Sequence, residues 1–151
     1  MSAALCPLAE RHLDEATALE RQCFSLPWSR AAFLAELRNP AAFYVAAEAE
    51  GGLAGYAGMQ TVLDEGYITN IAVAPEWRRR GVAARLLTAL RAEAVGRRLA
   101  FLTLEVRRSN AAAISLYEKQ GFVQVGVRPG YYEKPREDAL LMTLWLEGVS
   151  T

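Results

Sequence analysis

Residues 71–83 read IAVAPEWRRRGVA, and this stretch decides how the rest of the chain is interpreted. It passes from an apolar, β-favouring run ending at Val73, through a proline turn, into a basic segment that contains Gly81. A helix is predicted next, because Val82, Leu86 and Leu90 recur at helical spacing. Amides at the start of a helix have no partner within it and favour an anion. The sequence therefore predicts an anion-binding turn between a strand and a helix.

The composition of this turn suits a diphosphate. Gly81 and the small Ala83 let an anion approach the backbone, and the arginines at 78–80 add donors and positive charge. A Walker loop is excluded because GxxxxGK[ST] is missing, and a dinucleotide fingerprint would need more glycines and a βαβ unit. On this motif alone, a solvated basic run ahead of a helix stays open as the alternative.

The hydrophobic periodicity predicts one domain over residues 1–151, since no repeat or composition shift divides the chain. Strands are expected at 3–7, 42–48, 53–63, 67–73, 99–106, 122–127 and 139–146, and helices at 9–23, 30–38, 82–96 and 110–120. This order favours an α/β (α+β) fold, with four helices on a mixed, mostly antiparallel sheet of about seven strands. It differs from the alternating Rossmann pattern.

Bulk properties exclude several classes of protein. Basic and acidic side chains balance at 17 each, so we expect no nucleic-acid or membrane partner. Residues 1–7 lack the pattern of a secretory signal, which predicts a cytoplasmic protein. Cys6 and Cys23 lack the spacing of a metal site and are expected to be small buried side chains, with no metal bound. His12, the single histidine, is expected to be solvated.

Two motifs together resemble a known family. Residues 71–83 resemble the Q/R-x-x-G-x-G/A pattern that follows a strand in the GCN5-related N-acetyltransferases (GNAT family), with Ala83 where many members have glycine. Residues 104–122, LEVRRSNAAAISLYEKQGF, resemble the branch that acetylates the N-terminal alanine of small-subunit ribosomal protein eighteen. The similarity runs from Phe24 to Ala139. It implies the GNAT fold, acetyl-CoA as co-substrate, and direct transfer of acetyl to an acceptor protein N-terminus through a ternary complex. A monomer is expected, although no pattern in the sequence reports the oligomeric state.

The resemblance also implies a cofactor site. The pyrophosphate of acetyl-CoA is expected on the turn, at Arg78, Arg79, Arg80, Gly81, Val82, Ala83 and Ala84. The pantetheine amides and the thioester carbonyl are expected on backbone groups of Ile71, Ala72 and Val73, provided that this strand splays from the next. Asn110 matches an asparagine that contacts the pantetheine arm, and it also suits a helix N-cap.

Acyl transfer from a thioester to an amine needs a neutral nucleophile, oxyanion stabilisation and a proton for the thiolate. Glu105 is the candidate base, acting through water, because burial in an otherwise apolar strand raises a carboxyl pKa. By period two it shares a sheet face with Phe101 and Thr103. Its alternative is a strand-end carboxylate paired with Arg107 or Arg108, and the resemblance favours the catalytic role.

Tyr117 is the candidate acid that protonates the CoA thiolate. It lies two helical turns after Asn110 and so on the same helix face. A tyrosine at helical spacing is more often part of a core, and the resemblance favours the proton donor. For acceptor binding, the resemblance points to Leu26, Pro27 and Trp28 in the elbow between the first two helices, and to Tyr131 and Tyr132 in the loop before the last strand.

The acceptor is the open question at this stage. A free α-amine, with a reference pKa of about 7.7 to 8.0 against about 10.4 for lysine, is easier to deprotonate near neutrality, which favours an N-terminus. The alternatives are a GNAT enzyme for broader N-termini, lysine or a small-molecule amine, and a non-catalytic acetyl-CoA-binding regulatory module. Glu105, Asn110 and Tyr117 together argue against the module.

Overall fold

One seven-stranded sheet organises the computed structural model, which describes residues 3–146. The strands, in spatial order β1-β2-β3-β4-β5-β7-β6, are β1 Ala4–Pro7, β2 Ala42–Ala49, β3 Gly52–Val62, β4 Glu65–Val73, β5 Phe101–Arg107, β6 Val123–Tyr132 and β7 Glu137–Trp145. The helices are α1 Leu13–Cys23, α2 Arg30–Leu37, α3 Val82–Gly96 and α4 Ala111–Lys119, with short 3-10 turns at Glu10–His12 and Pro75–Trp77. Between the strands described, the β4–β5 pair is parallel and the others are antiparallel, so the predicted mixed sheet with four helices is confirmed. None of the helices in residues 3–146 has the length and apolarity needed to cross a bilayer.

Helices cover the two faces of the sheet unequally. On one face, α3 packs mainly against β2, β3 and β4, and Tyr117 of α4 joins the same core, which includes Leu90 and Met142. On the other face, α1 and α2 cover β2, β3 and β4, where Phe33 and Tyr56 meet edge to face at 5.4 Å. The second core includes no buried residue of β5, β6 or β7, so the face of β5 that carries Glu105 lies beside α1 and α2 rather than beneath them.

The strands β4 and β5 pair over a short distance and then separate. Their parallel register covers Glu65 to Tyr67 of β4, opposite Phe101 to Thr103 of β5. Just beyond, a β-bulge leaves Thr69 without a residue opposite it in the register of β3. Its side-chain hydroxyl instead donates to the carbonyl oxygen of Gly58 at 3.2 Å. Because a bulge bends its strand, β4 turns away from β5 at this point. The splay on which the cofactor site depends is therefore present.

Alternation along β4 decides which backbone groups face the opening. The amide of Ala74 donates to the carbonyl oxygen of Ala54 in β3 at 2.8 Å. In an antiparallel pair, residues whose N–H and C=O groups face the partner strand alternate with residues whose groups face away from it. The backbone groups of Ala72 therefore also point toward β3, where Ala72 lies opposite Tyr56. The N–H and C=O groups of Ile71 and Val73 point the other way, into the gap between β4 and β5.

His12 is buried, so the expectation of a solvated side chain is wrong. The ring is 4% exposed, and its Nδ1 accepts from the amide of Ala9 at 2.9 Å. The Nε2 atom therefore carries the proton and donates to Glu48 at 2.6 Å, and Arg11 also donates to Glu48. Hydrogen bonds from His12 and Arg11 lower the pKa of Glu48 to about 2. Cys6 also lies near His12 and Glu48, but both ring nitrogens of His12 are already engaged in hydrogen bonds. The hydrogen bond from His12 to Glu48 links the start of α1 to β2.

The two tyrosines proposed for acceptor binding lie at the end of β6, not in a loop. The strand was predicted to end at residue 127, but it continues to Tyr132, which pairs with Glu137 of β7. A register shift between Arg128 and Tyr132 accommodates the residues between them. At this irregularity Gly130 adopts a φ of 60°, and its amide donates to Asp138 of β7 at 2.9 Å. The Pro-Gly pair at 129–130 forms a bulge that lets β6 continue, rather than a turn that ends it.

The helix α3 offers a direct test of the larger core. Leu90 is fully buried, whereas Val95 on the same helix is 51% exposed. We expect Leu90→Ala to lower the free energy of unfolding by about 2–5 kcal/mol, because it leaves a cavity between α3 and the sheet. Val95→Ala is the matched control and should change it by about 0.5 kcal/mol or less. Urea unfolding followed by circular dichroism measures both, and equal effects would contradict this packing.

Candidate active site

A groove of about 770 Å³ occupies the gap between β4 and β5. Its volume is in the range of small-molecule sites. The residues predicted from the sequence that line it are Leu26, Trp28, Ile71, Ala72, Val73, Arg78, Ala83, Glu105, Asn110, Tyr117, Tyr131 and Tyr132. Those predicted residues that lie outside its lining are Pro27, Arg79, Arg80, Gly81, Val82 and Ala84. The groove thus brings Glu105 and Tyr117 together with the strand expected to hold acetyl-CoA and with residues expected to bind the acceptor.

The start of α3 presents free amides at one end of the groove. Gly81, with a φ of 77°, occupies the N-cap position and has no side chain to cap the helix. The amide of Arg85 donates back to the carbonyl oxygen of Gly81 at 3.1 Å. The preceding amides of Val82, Ala83 and Ala84 therefore have no partner within the helix. The side chain of Val82 is buried in the core, so this residue offers its amide alone.

Two of the three arginines of the basic turn, Arg78 and Arg80, point in different directions. Arg78 donates to the carbonyl oxygen of Val73 at 3.2 Å and to the sulfur of Cys23 at 3.5 Å, and it lines the groove. The guanidinium of Arg80 stacks on Trp77, 5.0 Å from the ring centre, and borders a separate cavity. Of these two side chains, only Arg78 adds its positive charge to the groove.

Glu105 projects from β5 with its side chain 6% exposed. Tyr67 of β4 donates a hydrogen bond to one carboxylate oxygen, and Arg128 of β6 lies 3.1 Å from the other. Burial and the contact with Glu105 raise the pKa of Tyr67 above its usual range, so this hydroxyl keeps its proton. The expected face is confirmed, because the intervening Leu104 and Val106 are buried on the opposite side.

The alternative pairing of Glu105 with the arginines that follow it does not occur. Arg107 pairs with Glu137 at 3.2 Å, and Arg108 pairs with Asp138 at 3.7 Å. The partner of Glu105 is instead Arg128, which reaches it across β7. Nothing in the local sequence indicated this contact, because it depends on the order of three strands.

Tyr117 and Asn110 both reach the groove from α4, as their spacing predicted. Tyr117 is 5% exposed, and burial raises the pKa of its hydroxyl above the usual range. It therefore stays protonated under ordinary assay conditions. The side chain of Asn110 accepts from the amide of Ala113 at 3.2 Å, which confirms its role as the N-cap of α4.

Glu20 is a groove residue that the sequence reasoning missed. It is 1% exposed on α1, and it accepts hydrogen bonds from the amide of Trp28 at 2.8 Å, from the side-chain amide of Asn70 at 3.2 Å and from the hydroxyl of Tyr56. A signal was available, since an acid at position 20 continues the apolar helical stripe of Leu13 and Ala16. A carboxylate at a core position needs donors of this kind.

Arg107 was considered only as a partner for Glu105, yet it joins the two acceptor-side walls. It donates to the carbonyl oxygens of Glu133 at 3.1 Å and Pro135 at 2.9 Å, after β6, and it lies 3.4 Å from the hydroxyl of Ser25 in the elbow. Its guanidinium also stacks 4.4 Å from the ring centre of Tyr132. One side chain thus links the elbow after α1 to the end of β6.

Known proteins are similar to this chain in sequence and in fold. The model of the acetyltransferase (GNAT) family matches residues 13–122. The ribosomal protein bS18-alanine N-acetyltransferase of Escherichia coli is 40% identical over 134 residues, covering 87% of this chain and 90% of that protein. The enzyme of the same name from Salmonella typhimurium is 38% identical over 139 residues, covering 91% and 93%.

Solved structures of acetyltransferases share the fold of this chain. The crystal structure of the ribosomal-protein-S18-alanine N-acetyltransferase from Escherichia coli superposes with a TM-score of 0.86 at 37% identity, over 95% of this chain and 93% of that one. Arabidopsis thaliana NAA60, solved with a bisubstrate analogue, reaches a TM-score of 0.90 at 20% identity, over 97% and 99%, and shares the fold. This chain therefore belongs to the GNAT family of acetyltransferases.

Proposed function

We propose that this acetyltransferase transfers the acetyl group of acetyl-CoA to the α-amine of a protein N-terminus, with the N-terminal alanine of ribosomal protein bS18 as its acceptor. The observation that carries the proposal is the opening between β4 and β5, where Glu105 and Tyr117 line a single groove. The names of the relatives at 40% and 38% identity support the choice of acceptor. An acceptor of this kind also fits a cytoplasmic enzyme.

The groove offers matching groups along the length of acetyl-CoA. The free amides at 82–84 and the positive charge of Arg78 suit its pyrophosphate. The backbone groups of Ile71 and Val73 suit the amides of the pantetheine arm, and Asn110 lies on the opposite wall. When bound in this way, acetyl-CoA supplies an activated acyl group whose carbonyl faces β4.

Two residues then perform the proton transfers, and two more hold the geometry. Glu105 accepts a proton from the acceptor amine through water, while Tyr67 and Arg128 fix the orientation of its carboxylate. Amides of β4 that face the opening polarise the thioester carbonyl. Tyr117, which keeps its proton because it is buried, donates it to the departing thiolate.

The acceptor enters from the side opposite α3 and α4. There the elbow, with Leu26 and Trp28, faces Tyr131 and Tyr132 at the end of β6. Arg107 links these two walls, as does a 3.5 Å contact between the hydroxyl of Ser25 and the backbone of Glu133. A groove bounded in this way at its outer end suits the insertion of a chain end.

A peptide panel tests the proposed acceptor. Peptides beginning with Ala, Ser, Met or Gly, and an Nα-blocked peptide with one internal lysine, are compared by kcat/KM with acetyl-CoA. We expect the alanine peptide, with the bS18 sequence after it, to be acetylated fastest and the lysine peptide to be the poorest substrate. A preference for lysine would overturn the N-terminal assignment.

Two conservative substitutions test the assigned chemistry. We expect Glu105→Gln and Tyr117→Phe each to lower kcat by about a hundredfold, because each removes one proton transfer, while acetyl-CoA binds with unchanged affinity. Glu118→Gln is the matched control, since this carboxylate is exposed on α4 outside the groove, and it should keep the wild-type rate. Wild-type turnover in both test variants would contradict the roles of Glu105 and Tyr117 in this mechanism.

A further inference from the structure

Two buried carboxylates line the groove, and they differ in their partners. Glu105 has the guanidinium of Arg128 within 3.1 Å. Glu20 receives hydrogen bonds from neutral donors, namely the backbone amide of Trp28, the side-chain amide of Asn70 and the hydroxyl of Tyr56. Within residues 3–146 it forms no salt bridge. Glu20 is therefore the buried negative charge of the groove that lacks a cation.

A buried carboxylate of this kind is costly to maintain. Neutral hydrogen bonds replace only part of the hydration that an ionised group loses, and a cation normally completes the compensation. Arg78, a cation on the same wall, donates to the sulfur of Cys23 and to the backbone of Val73. The guanidinium of Arg78 is thus engaged elsewhere, and within residues 3–146 it forms no salt bridge with Glu20.

The position of Glu20 relates it to the reacting groups. Through Asn70 it contacts β4 just beyond the bulge, and Tyr67 on the same strand contacts Glu105 just before the bulge. The two carboxylates thus flank residues 67–70 of β4, where the strand leaves β5. Through the amide of Trp28, Glu20 also holds the elbow that forms the acceptor wall.

We propose that Glu20 is the anionic subsite for the acceptor, where it attracts the α-ammonium group of the incoming N-terminus before that group loses its proton. This inference rests on the proposed N-terminal acetyltransferase function. With a reference pKa of about 7.7 to 8.0, the α-amine of a peptide is mostly charged at neutral pH and arrives as a cation. The ammonium group supplies the cation that Glu20 lacks, and Glu105 then takes the proton.

A purely structural role predicts a different outcome. If Glu20 only anchors the elbow, its loss weakens every acceptor peptide equally, whether the N-terminus is charged or neutral. If it attracts the ammonium group, only peptides with a free amine lose affinity. A pair of peptides with the same alanine-initiated sequence, one free and one Nα-acetylated, separates the two roles.

The experiment measures the Kd of both peptides by calorimetry at pH 6.5 in the presence of CoA. We expect the wild-type protein to bind the free peptide about tenfold more tightly than the acetylated one, since hydrogen bonds to charged groups are the strong ones. Glu20→Gln should bring the two values within about twofold by weakening the free peptide alone. Equal weakening of both peptides would overturn the proposal.

Two further variants complete the design. Glu15→Gln is the matched control, because this carboxylate of α1 also accepts a backbone amide, that of Leu53 at 2.8 Å, but lies outside the groove. It should keep the tenfold preference, and Glu20→Asp, which retains the charge, should keep most of it. Equal binding of the two peptides by the wild-type protein overturns the proposal even if Glu20→Gln does not fold.

The proposed function can fail separately. If no N-terminal peptide is acetylated, the N-terminal acetyltransferase assignment falls, and the subsite falls with it. If the alanine peptide is acetylated but the charge preference is missing, only the subsite is wrong.

Discussion

The separation of β4 from β5 is the constraint on which the rest of the site depends. Sheet backbone normally finds its hydrogen bonds in the next strand, yet the backbone groups of Ile71 and Val73 point into an open groove, where the carbonyl oxygen of Val73 accepts from Arg78. Leaving such groups unpaired costs about 1–3 kcal/mol each when they are buried. The bulge at Thr69 makes the separation possible, and the groove leaves room beside β4 for a ligand with amide groups.

Under the proposed function, each side of this gap holds a different substrate. On one side, α3 and α4 bring free helix amides, Asn110 and Tyr117 to the groove. On the other side, the elbow and the end of β6 face each other, and Arg107 links them. Glu105 lies where the two sides meet, which is where an amine and a thioester would have to react.

Local patterns predicted most of the fold and much of the site. Helical spacing placed Tyr117 and Asn110 on one face, Ser29 and Asn110 cap their helices as expected, and period two gave the orientation of Glu105. Contacts between distant segments could not be read in this way. Arg128 reaches Glu105 from 23 residues away, and Asn70 reaches Glu20 from 50.

Two errors share the same physical origin. His12 was expected in solvent because no local pattern buries it, yet Glu48, 36 residues away, gives it a partner inside the protein. The Pro-Gly pair before Tyr131 has the composition of a turn, but pairing with β7 converts it into a bulge within β6. In both cases tertiary contacts overrode a correct local preference.

Amide hydrogen exchange of β4, followed by NMR with and without acetyl-CoA, tests the central claim most directly. The amides of Ile71 and Val73 face the gap, whereas that of Ala72 faces β3. Binding should slow exchange at Ile71 and Val73 by about tenfold or more, while Ala72 changes little, because only the first two gain a new partner. Unchanged exchange at Ile71 and Val73 under saturating acetyl-CoA would contradict a cofactor site between β4 and β5.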